Sequence, residues 1–297
     1  MAIDDLLSTG TVVLDGGLST ALEERGHDLS GRLWSAQLLR QAPSEIIAAH
    51  RGFVDAGADV VISASYQASY FGYASAGLTE EQCDADLDAS IQLAREGADG
   101  RALVAASVGP YGAALADGSE YTGYSHVGRR TLRDFHARRL ERLVAADPDL
   151  VAVETIPEID EADVVVDLLG EIAPDVPYWV SFSAAQDGRL TGGAPFAEAI
   201  EVVRGSAVAV GVNCTAPEHI EELLGSVTAS VPYVVYPNSG ASYDPATKTW
   251  TDDTSAESWH FSPEVLRRWQ GMGAALIGGC CGISADGIRE IASAVRA

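Results

Sequence analysis

The residue types best suited to chemistry in this chain are sulfurs. There are four cysteines, Cys83, Cys214, Cys280 and Cys281. Cys280 and Cys281 are adjacent and set among glycines, in Gly278-Gly279-Cys280-Cys281-Gly282, while Cys214 closes the stretch Gly211-Val212-Asn213-Cys214. Four cysteines in 297 residues are too sparse for a disulfide framework. In a reducing compartment, clustered cysteines point instead to metal ligands or reactive thiols. Three thiolates with one exchangeable position make a catalytic zinc site, because a closed structural site needs a fourth protein ligand. No C-x-x-C pair supplies one. Two other readings use the same residues. One is three buried cysteines packed as small hydrophobes. The other is a vicinal Cys280–Cys281 disulfide, opposed by ring strain and by a reducing cytosol. Cys83, in the acidic helical stretch Glu80-Glu81-Gln82-Cys83-Asp84, reads as a bystander.

An open three-thiolate zinc prefers a soft fourth ligand, a substrate thiol, and coordination removes the thiol proton. Activation of water is more often left to histidine and carboxylate ligands. The chain has six histidines, none of them in a strand-end motif. The expected chemistry is therefore alkylation of a thiol rather than hydrolysis.

The elements that must position these groups are legible as eight short apolar runs: Thr11–Asp15, Asp59–Ser63, Leu103–Val108, Leu150–Glu154, Tyr178–Ser183, Ala207–Asn213, Tyr233–Tyr236 and Ala274–Gly278. Near-continuous apolarity marks strands covered on both faces. Amphipathic helical stretches lie between them. Pro43–Ala56 gathers Ile46, Ile47, His50 and Phe53 on one face, and Asp134–Ala146 gathers Phe135, Leu140, Leu143 and Val144. Pro263–Gln270 and Gly287–Val295 behave likewise. Eight strand–helix units in about 300 residues predict an α/β fold, a (β/α)8 TIM barrel, as a single domain over residues 1–297. An open doubly wound sheet would show a glycine fingerprint after its first strand, and Asp15-Gly16-Gly17-Leu18-Ser19-Thr20 is not one. In a barrel, function sits at the carboxyl ends of the strands. Those ends carry Asp15-Gly16-Gly17, Ser63-Ala64-Ser65-Tyr66, Gly109-Pro110-Tyr111, Glu154-Thr155, Asn213-Cys214, Pro237-Asn238-Ser239-Gly240 and Cys280-Cys281. Strands 6 and 8 are separated only by strand 7, so their cysteines can converge at the rim.

Composition narrows the partners. Nineteen basic against 43 acidic residues give a net charge of −24. That charge opposes binding to nucleic acid or an anionic membrane, and suits a small or cationic ligand. Hydrophobic residues are 47% of the chain and charged residues 21%, as in a globular protein. No apolar run approaches the roughly 18 residues of a membrane span. The start, Met1-Ala2-Ile3-Asp4-Asp5, is unlike an export signal. The expectation is a cytoplasmic enzyme, a monomer or small homo-oligomer.

The ordered motifs Leu14-Asp15-Gly16-Gly17, Ser63-Ala64-Ser65-Tyr66-Gln67-Ala68, Ser107-Val108-Gly109-Pro110-Tyr111-Gly112, Asp117-Gly118-Ser119-Glu120-Tyr121, Glu154-Thr155, Gly211-Val212-Asn213-Cys214, Tyr236-Pro237-Asn238-Ser239-Gly240 and Gly278-Gly279-Cys280-Cys281 span almost the whole chain. Together they resemble the zinc-dependent homocysteine S-methyltransferases. The stretch Ala114–Tyr121, and Val235–Gly240 followed by Lys248-Thr249-Trp250, look most like the branch that uses S-methylmethionine. The resemblance implies Zn2+ held by Cys214, Cys280 and Cys281, with homocysteine as the fourth ligand, methylated to methionine by a sulfonium donor. Members of that branch often continue Arg-Thr-Thr-Pro after the cysteine pair; here the sequence is Gly282-Ile283-Ser284-Ala285.

On that resemblance, Asp15 and Glu154 are expected to bind the α-ammonium of homocysteine, with Glu154 also facing the donor. Gly16 and Gly17 would bring backbone N–H groups to the substrate carboxylate. One of Ser63 and Ser65, which share a strand face, would hydrogen-bond the amino acid. Asn213 and Asn238 would orient ligands or loops. Trp34, Tyr66, Tyr111 and Tyr121 are candidates for the aromatic faces that attract a cation. Within this class S-methylmethionine is the expected donor, ahead of S-adenosylmethionine and betaine, and methylation of selenocysteine is a related alternative. Outside it, a barrel hydrolase would need histidine-rich strand ends. A non-catalytic zinc-binding barrel would leave the carboxylates without a purpose.

Overall fold

The computed structural model describes residues 2–203, 207–240, 243–244, 249–250 and 261–297. Lys248, part of one resemblance motif, lies outside the described residues. Eight parallel strands form the barrel: β1 (Val12–Val13), β2 (Val60–Ile62), β3 (Leu103–Val108), β4 (Leu150–Ile156), β5 (Tyr178–Phe182), β6 (Ala209–Asn213), β7 (Tyr233–Tyr236) and β8 (Ala274–Ile277). All eight fall on the expected runs, though β1, β2, β5, β6 and β8 are shorter than expected. β4 continues two residues past Glu154, so Glu154 lies inside the strand and not at its end. A small antiparallel pairing of Tyr243–Asp244 with Thr249–Trp250 stands apart.

Neighbouring strands pair in parallel, for example Val151, Ala152 and Val153 opposite Tyr178, Trp179 and Val180. The order β1-β8-β7-β6-β5-β4-β3-β2 leaves one seam. It is closed by a single bridge, Leu14 to Val60, and by two carboxylates that stand in for ladder carbonyls. Asp59 Oδ2 accepts from Val13 N at 2.9 Å, and Asp15 Oδ2 accepts from Ile62 N at 2.8 Å. A buried backbone N–H has to be paired, and here side chains supply the acceptors.

Strand alternation divides the interior into floor and roof. Val12, Leu14, Val60, Leu103, Ala105, Leu150, Ala152, Trp179, Ala209, Val234 and Leu276 fill the lower barrel, with Ile3 of the N-terminal helix Ile3–Thr9 beneath. Two residues further up the same faces come Ser107, Glu154, Ser181 and Tyr236, so the inward side turns polar at the carboxyl end. The opposite faces of the strands pack on the helices in one larger cluster. The helix Pro43–Ala56 buries Ile46, His50 and Phe53 as expected, with Ile47 half-buried. The helix expected at Asp134–Ala146 begins earlier, at Arg129. It buries His136 and Arg139 beside Leu140 and Leu143.

Candidate active site

The three cysteines come from two strands two places apart, as the barrel requires. Cys214 follows β6, and Cys280 and Cys281 follow β8. The loop after β7 ties the ends together: Cys214 N donates to Tyr236 O at 3.2 Å, Cys280 N to Pro237 O at 2.7 Å, and Ser239 N to Cys281 O at 2.9 Å. All three sulfurs lie within 4.8 Å of one another. Cys281 Sγ is 3.7 Å from Cys214 Sγ and 4.0 Å from Cys280 Sγ. A tetrahedral ion with metal–sulfur bonds of about 2.3 Å puts its ligands about 3.8 Å apart, so both distances fit a shared metal.

The remaining pair corrects the expectation of three free thiols. Cys214 and Cys280 are joined as a disulfide, with Cα atoms 5.5 Å apart, and Cys281 is free. The bond crosses between strands instead of linking the vicinal pair, because the barrel brings these Cα atoms to an ordinary disulfide separation. Both sulfurs must be reduced before they can act as thiolates. Burial, reinforced by the charges of Glu23, Glu154 and Glu120, pushes the Cys281 thiol up to about 12. A thiol so placed keeps its proton unless a cation replaces it. Cys83 is buried in the helix Glu80–Ala98, away from the cluster.

One cavity contains the sulfurs and both expected carboxylates. Its wall includes Asp15, Gly16, Gly17, Trp34, Ser63, Tyr66, Tyr121, Glu154 and the three cysteines, and among the described residues no Lys, Arg or His. Asp15 has only 1% of its surface exposed; Oδ2 serves the seam and Oδ1 has no hydrogen-bond partner. Burial, with Glu154 nearby, raises its pKa well above the usual carboxylate range. Glu154 Oε1 accepts from Ser107 Oγ, and Oε2 accepts from Tyr236 Oη at 3.1 Å. Tyr236 is in turn bridged to Ser181 Oγ at 2.6 Å and receives Trp179 Nε1 at 3.0 Å. Burial raises the Glu154 pKa to about 7 against these hydroxyl donors, which lower it. Two buried carboxyl groups, one with an unpaired oxygen, suit a cationic guest.

The structure redistributes several expected roles. Ser63 lines the cavity, whereas Ser65 does not: its hydroxyl donates to Ser107 O at 2.7 Å and meets Ser63 Oγ at 2.8 Å. Gly17 N is already engaged with Ile283 O at 2.9 Å, so it is not free for a substrate carboxylate. Glycine is required at 16 and 17 for a different reason. A Cβ on Gly16 would lie 2.7 Å from Phe53 and one on Gly17 2.7 Å from Cys280 O, so the cysteine loop can rest on this turn only without side chains. Asn213 gives its whole amide to Thr155, accepting from Thr155 N and donating to Thr155 Oγ1, both at 2.7 Å. It fixes the carboxyl end of β4 and lies outside the cavity wall. Asn238 likewise closes a turn, accepting from Gly240 N at 2.9 Å. Tyr111 packs edge-on against Tyr124 and Phe135 behind the site. Of the aromatic candidates, Trp34, Tyr66 and Tyr121 face the cavity.

Three wall residues have left-handed backbones: Trp34 (φ 47°), Thr155 (φ 60°) and Cys214 (φ 45°). For a β-branched residue such as Thr155 this conformation is a genuine outlier. The Asn213 amide holds it there. Sequence reasoning missed Ser107, Thr155 and Tyr236 as site residues. Strand alternation from Leu103, Leu150 and Val234 carries the signal for Ser107 and Tyr236; nothing local marks Thr155. In the departing loop, Ile283 is buried and Ser284 Oγ caps the helix Ala285–Val295.

Comparison with known proteins agrees with this geometry. The family model for homocysteine S-methyltransferase matches residues 12–295. The chain is 40% identical to homocysteine S-methyltransferase YbgG of Bacillus subtilis (strain 168), over 96% of this chain and 94% of that protein. It is 43% identical to homocysteine S-methyltransferase 4 of Zea mays, over 97% and 90%. The homocysteine methyltransferase MmuM of Escherichia coli in its metallated form superposes with a TM-score of 0.84 at 36% identity, covering 96% of both chains. Its oxidized form gives the same score and identity over 95% of each chain. Three convergent sulfurs beside two buried carboxylates, on a barrel matched along nearly its whole length, place this chain in the homocysteine S-methyltransferase family.

Proposed function

We propose that the chain, acting as one homocysteine-binding barrel domain over residues 1–297, transfers a methyl group from a sulfonium donor to homocysteine, forming methionine. S-methylmethionine is the preferred donor. The observation that carries this reading is the meeting of the sulfur cluster with Asp15, whose Oδ1 is unpartnered, and Glu154 in one cavity. Cys214, Cys280 and Cys281, once reduced, would hold zinc, which supplies a deprotonated, still nucleophilic substrate thiol at neutral pH.

The protein's own groups do the rest. Asp15 Oδ1 and Glu154 receive the α-ammonium of homocysteine, whose positive charge replaces the proton that burial favours on these carboxyls. Ser63 hydrogen-bonds the same amino acid. Trp34, Tyr66 and Tyr121 present ring faces to the sulfonium. Transfer forms one sulfur–methyl bond as another breaks; the donor departs as a neutral thioether, and the acceptor's proton goes to solvent. No general acid is needed, because the leaving thioether departs neutral. Holding the two sulfurs in line with the methyl carbon contributes the entropic part of the acceleration.

The test follows methionine formation by reduced, metal-quantified protein from homocysteine with S-methylmethionine, S-adenosylmethionine or betaine in parallel. Turnover with a sulfonium donor and one zinc per chain is expected. Zinc binding with no methionine from any donor would overturn the proposal.

A further inference from the structure

A third buried carboxylate stands beside this cavity with no role so far. Glu120 lies in the 3-10 turn Ser119–Tyr121, immediately before the wall residue Tyr121. Only 8% of its surface is exposed, and Oε2 has no hydrogen-bond partner. Among the described residues no Lys, Arg or His forms an ion pair with it. Its charge is felt at the Tyr66 hydroxyl and the Cys281 thiol, both in the cavity wall, and burial raises its own pKa.

The backbone of this turn is firmly fixed. Ser183 Oγ donates to Glu120 O at 2.9 Å and Thr191 Oγ1 at 3.3 Å. Gly112 approaches so closely that a Cβ there would sit 2.7 Å from Glu120 N. Downstream, Tyr124 N is bound by Glu158 Oε1 at 2.8 Å, and Tyr124 Oη donates to Glu161. A buried carboxylate with an unsatisfied oxygen, on a fixed turn, is costly unless a cation reaches it.

The reaction brings two cationic groups on the donor, which differ in one respect. A sulfonium loses its charge on the way to product, so an anion set against it would favour the bound substrate over the transition state. The α-ammonium of an amino-acid donor keeps its charge throughout, so a carboxylate can bind it without slowing transfer. With Asp15 and Glu154 assigned to the acceptor's ammonium, a second ammonium needs a second anion. We propose that Glu120 anchors the α-ammonium of the amino-acid donor and selects donors that carry one. This inference rests on the sulfonium-donor reading above.

The test compares Glu120→Gln with the wild type in the reduced, zinc-loaded protein. The S-methylmethionine KM at saturating homocysteine should rise about 10- to 100-fold, as expected for loss of a charge-assisted hydrogen bond. The homocysteine KM and the KM for trimethylsulfonium, which has no ammonium, should stay unchanged. Glu120→Asp, which keeps the charge, should recover part of the loss and serves as the second variant if Glu120→Gln folds poorly. An unchanged S-methylmethionine KM, an equal rise for trimethylsulfonium, or wild-type use of trimethylsulfonium as efficiently as S-methylmethionine would overturn the proposal. If the wild type makes no methionine, the functional reading fails. Glu120 is then judged by calorimetric binding of S-methylmethionine: a similar weakening in Glu120→Gln supports it, whereas equal affinities, or no binding to the wild type, overturn it.

Discussion

Asp15 has two oxygens with separate tasks, and two substitutions can separate them. Oδ2 closes the barrel seam on Ile62 N at 2.8 Å; Oδ1 is buried and unpartnered, in a residue that lines the cavity. Asp15→Asn keeps one acceptor oxygen for the seam and removes the charge. Because burial disfavours the charged carboxyl, the melting temperature should be unchanged or slightly higher. The homocysteine KM should rise about 10- to 150-fold, from about 1.5–3 kcal/mol for a hydrogen bond to a charged group at about 1.4 kcal/mol per tenfold. Asp15→Ala removes both tasks. It strands the Ile62 N–H, costing a further 1–3 kcal/mol or so of stability, and roughly 2–10 °C in Tm. The assay is steady-state methionine formation with homocysteine varied at saturating donor, alongside thermal unfolding of the reduced protein. An unchanged KM in Asp15→Asn would remove Asp15 from the ammonium site. Equal Tm values for the two variants would refute the division of labour between the oxygens.

Three further outcomes follow from the same geometry. Cys281→Ala should lose both bound metal and turnover while Cys83→Ala keeps both; elemental analysis of reduced protein beside the methionine assay checks this. Glu154 has a folded-state pKa raised to about 7, above its usual 4.5. The folded state therefore binds that proton more tightly, and the stability it contributes at low pH is lost as pH rises from about 4.5 through 7. The homocysteine KM should correspondingly rise as pH falls below about 7, and both trends should flatten in Glu154→Gln, read by Tm and KM across pH 5–8. Asn213→Ala removes two hydrogen bonds and leaves the buried Thr155 N unpaired, so it should cost about 2–4 kcal/mol by denaturant unfolding and lower metal content; an unaltered metal content would mean that Thr155 and Cys214 keep their places without the amide.

Much of this was legible in the sequence because barrel strands are buried on both faces and announce themselves as apolar runs. The sulfur cluster was legible because strand order fixes which tips are neighbours. Asp15 and Glu154 stood out as carboxylates in otherwise apolar strands. What sequence reasoning could not supply were side-chain commitments made across strands. Asn213 and Ser65 have the right type and position for substrate, yet their polar groups are taken up by Thr155 and Ser107, 58 and 42 residues away. Gly17 carries a free N–H in any local picture; only the docking of the Ile283 loop uses it. The Cys214–Cys280 bond likewise depends on a distance between loops that no local pattern records.

The left-handed conformations at Trp34, Thr155 and Cys214 bear on how this protein would respond to laboratory evolution. Each such residue costs on the order of 1–3 kcal/mol relative to a relaxed backbone, and glycine would relieve that cost. Each is also held by a contact that glycine would lose: the Trp34–Tyr66 ring contact, the Asn213–Thr155 hydrogen bond and the Cys214–Cys280 bond. Selection for heat tolerance would therefore find its gains on the outer helices and leave the strained mouth of the barrel as it is.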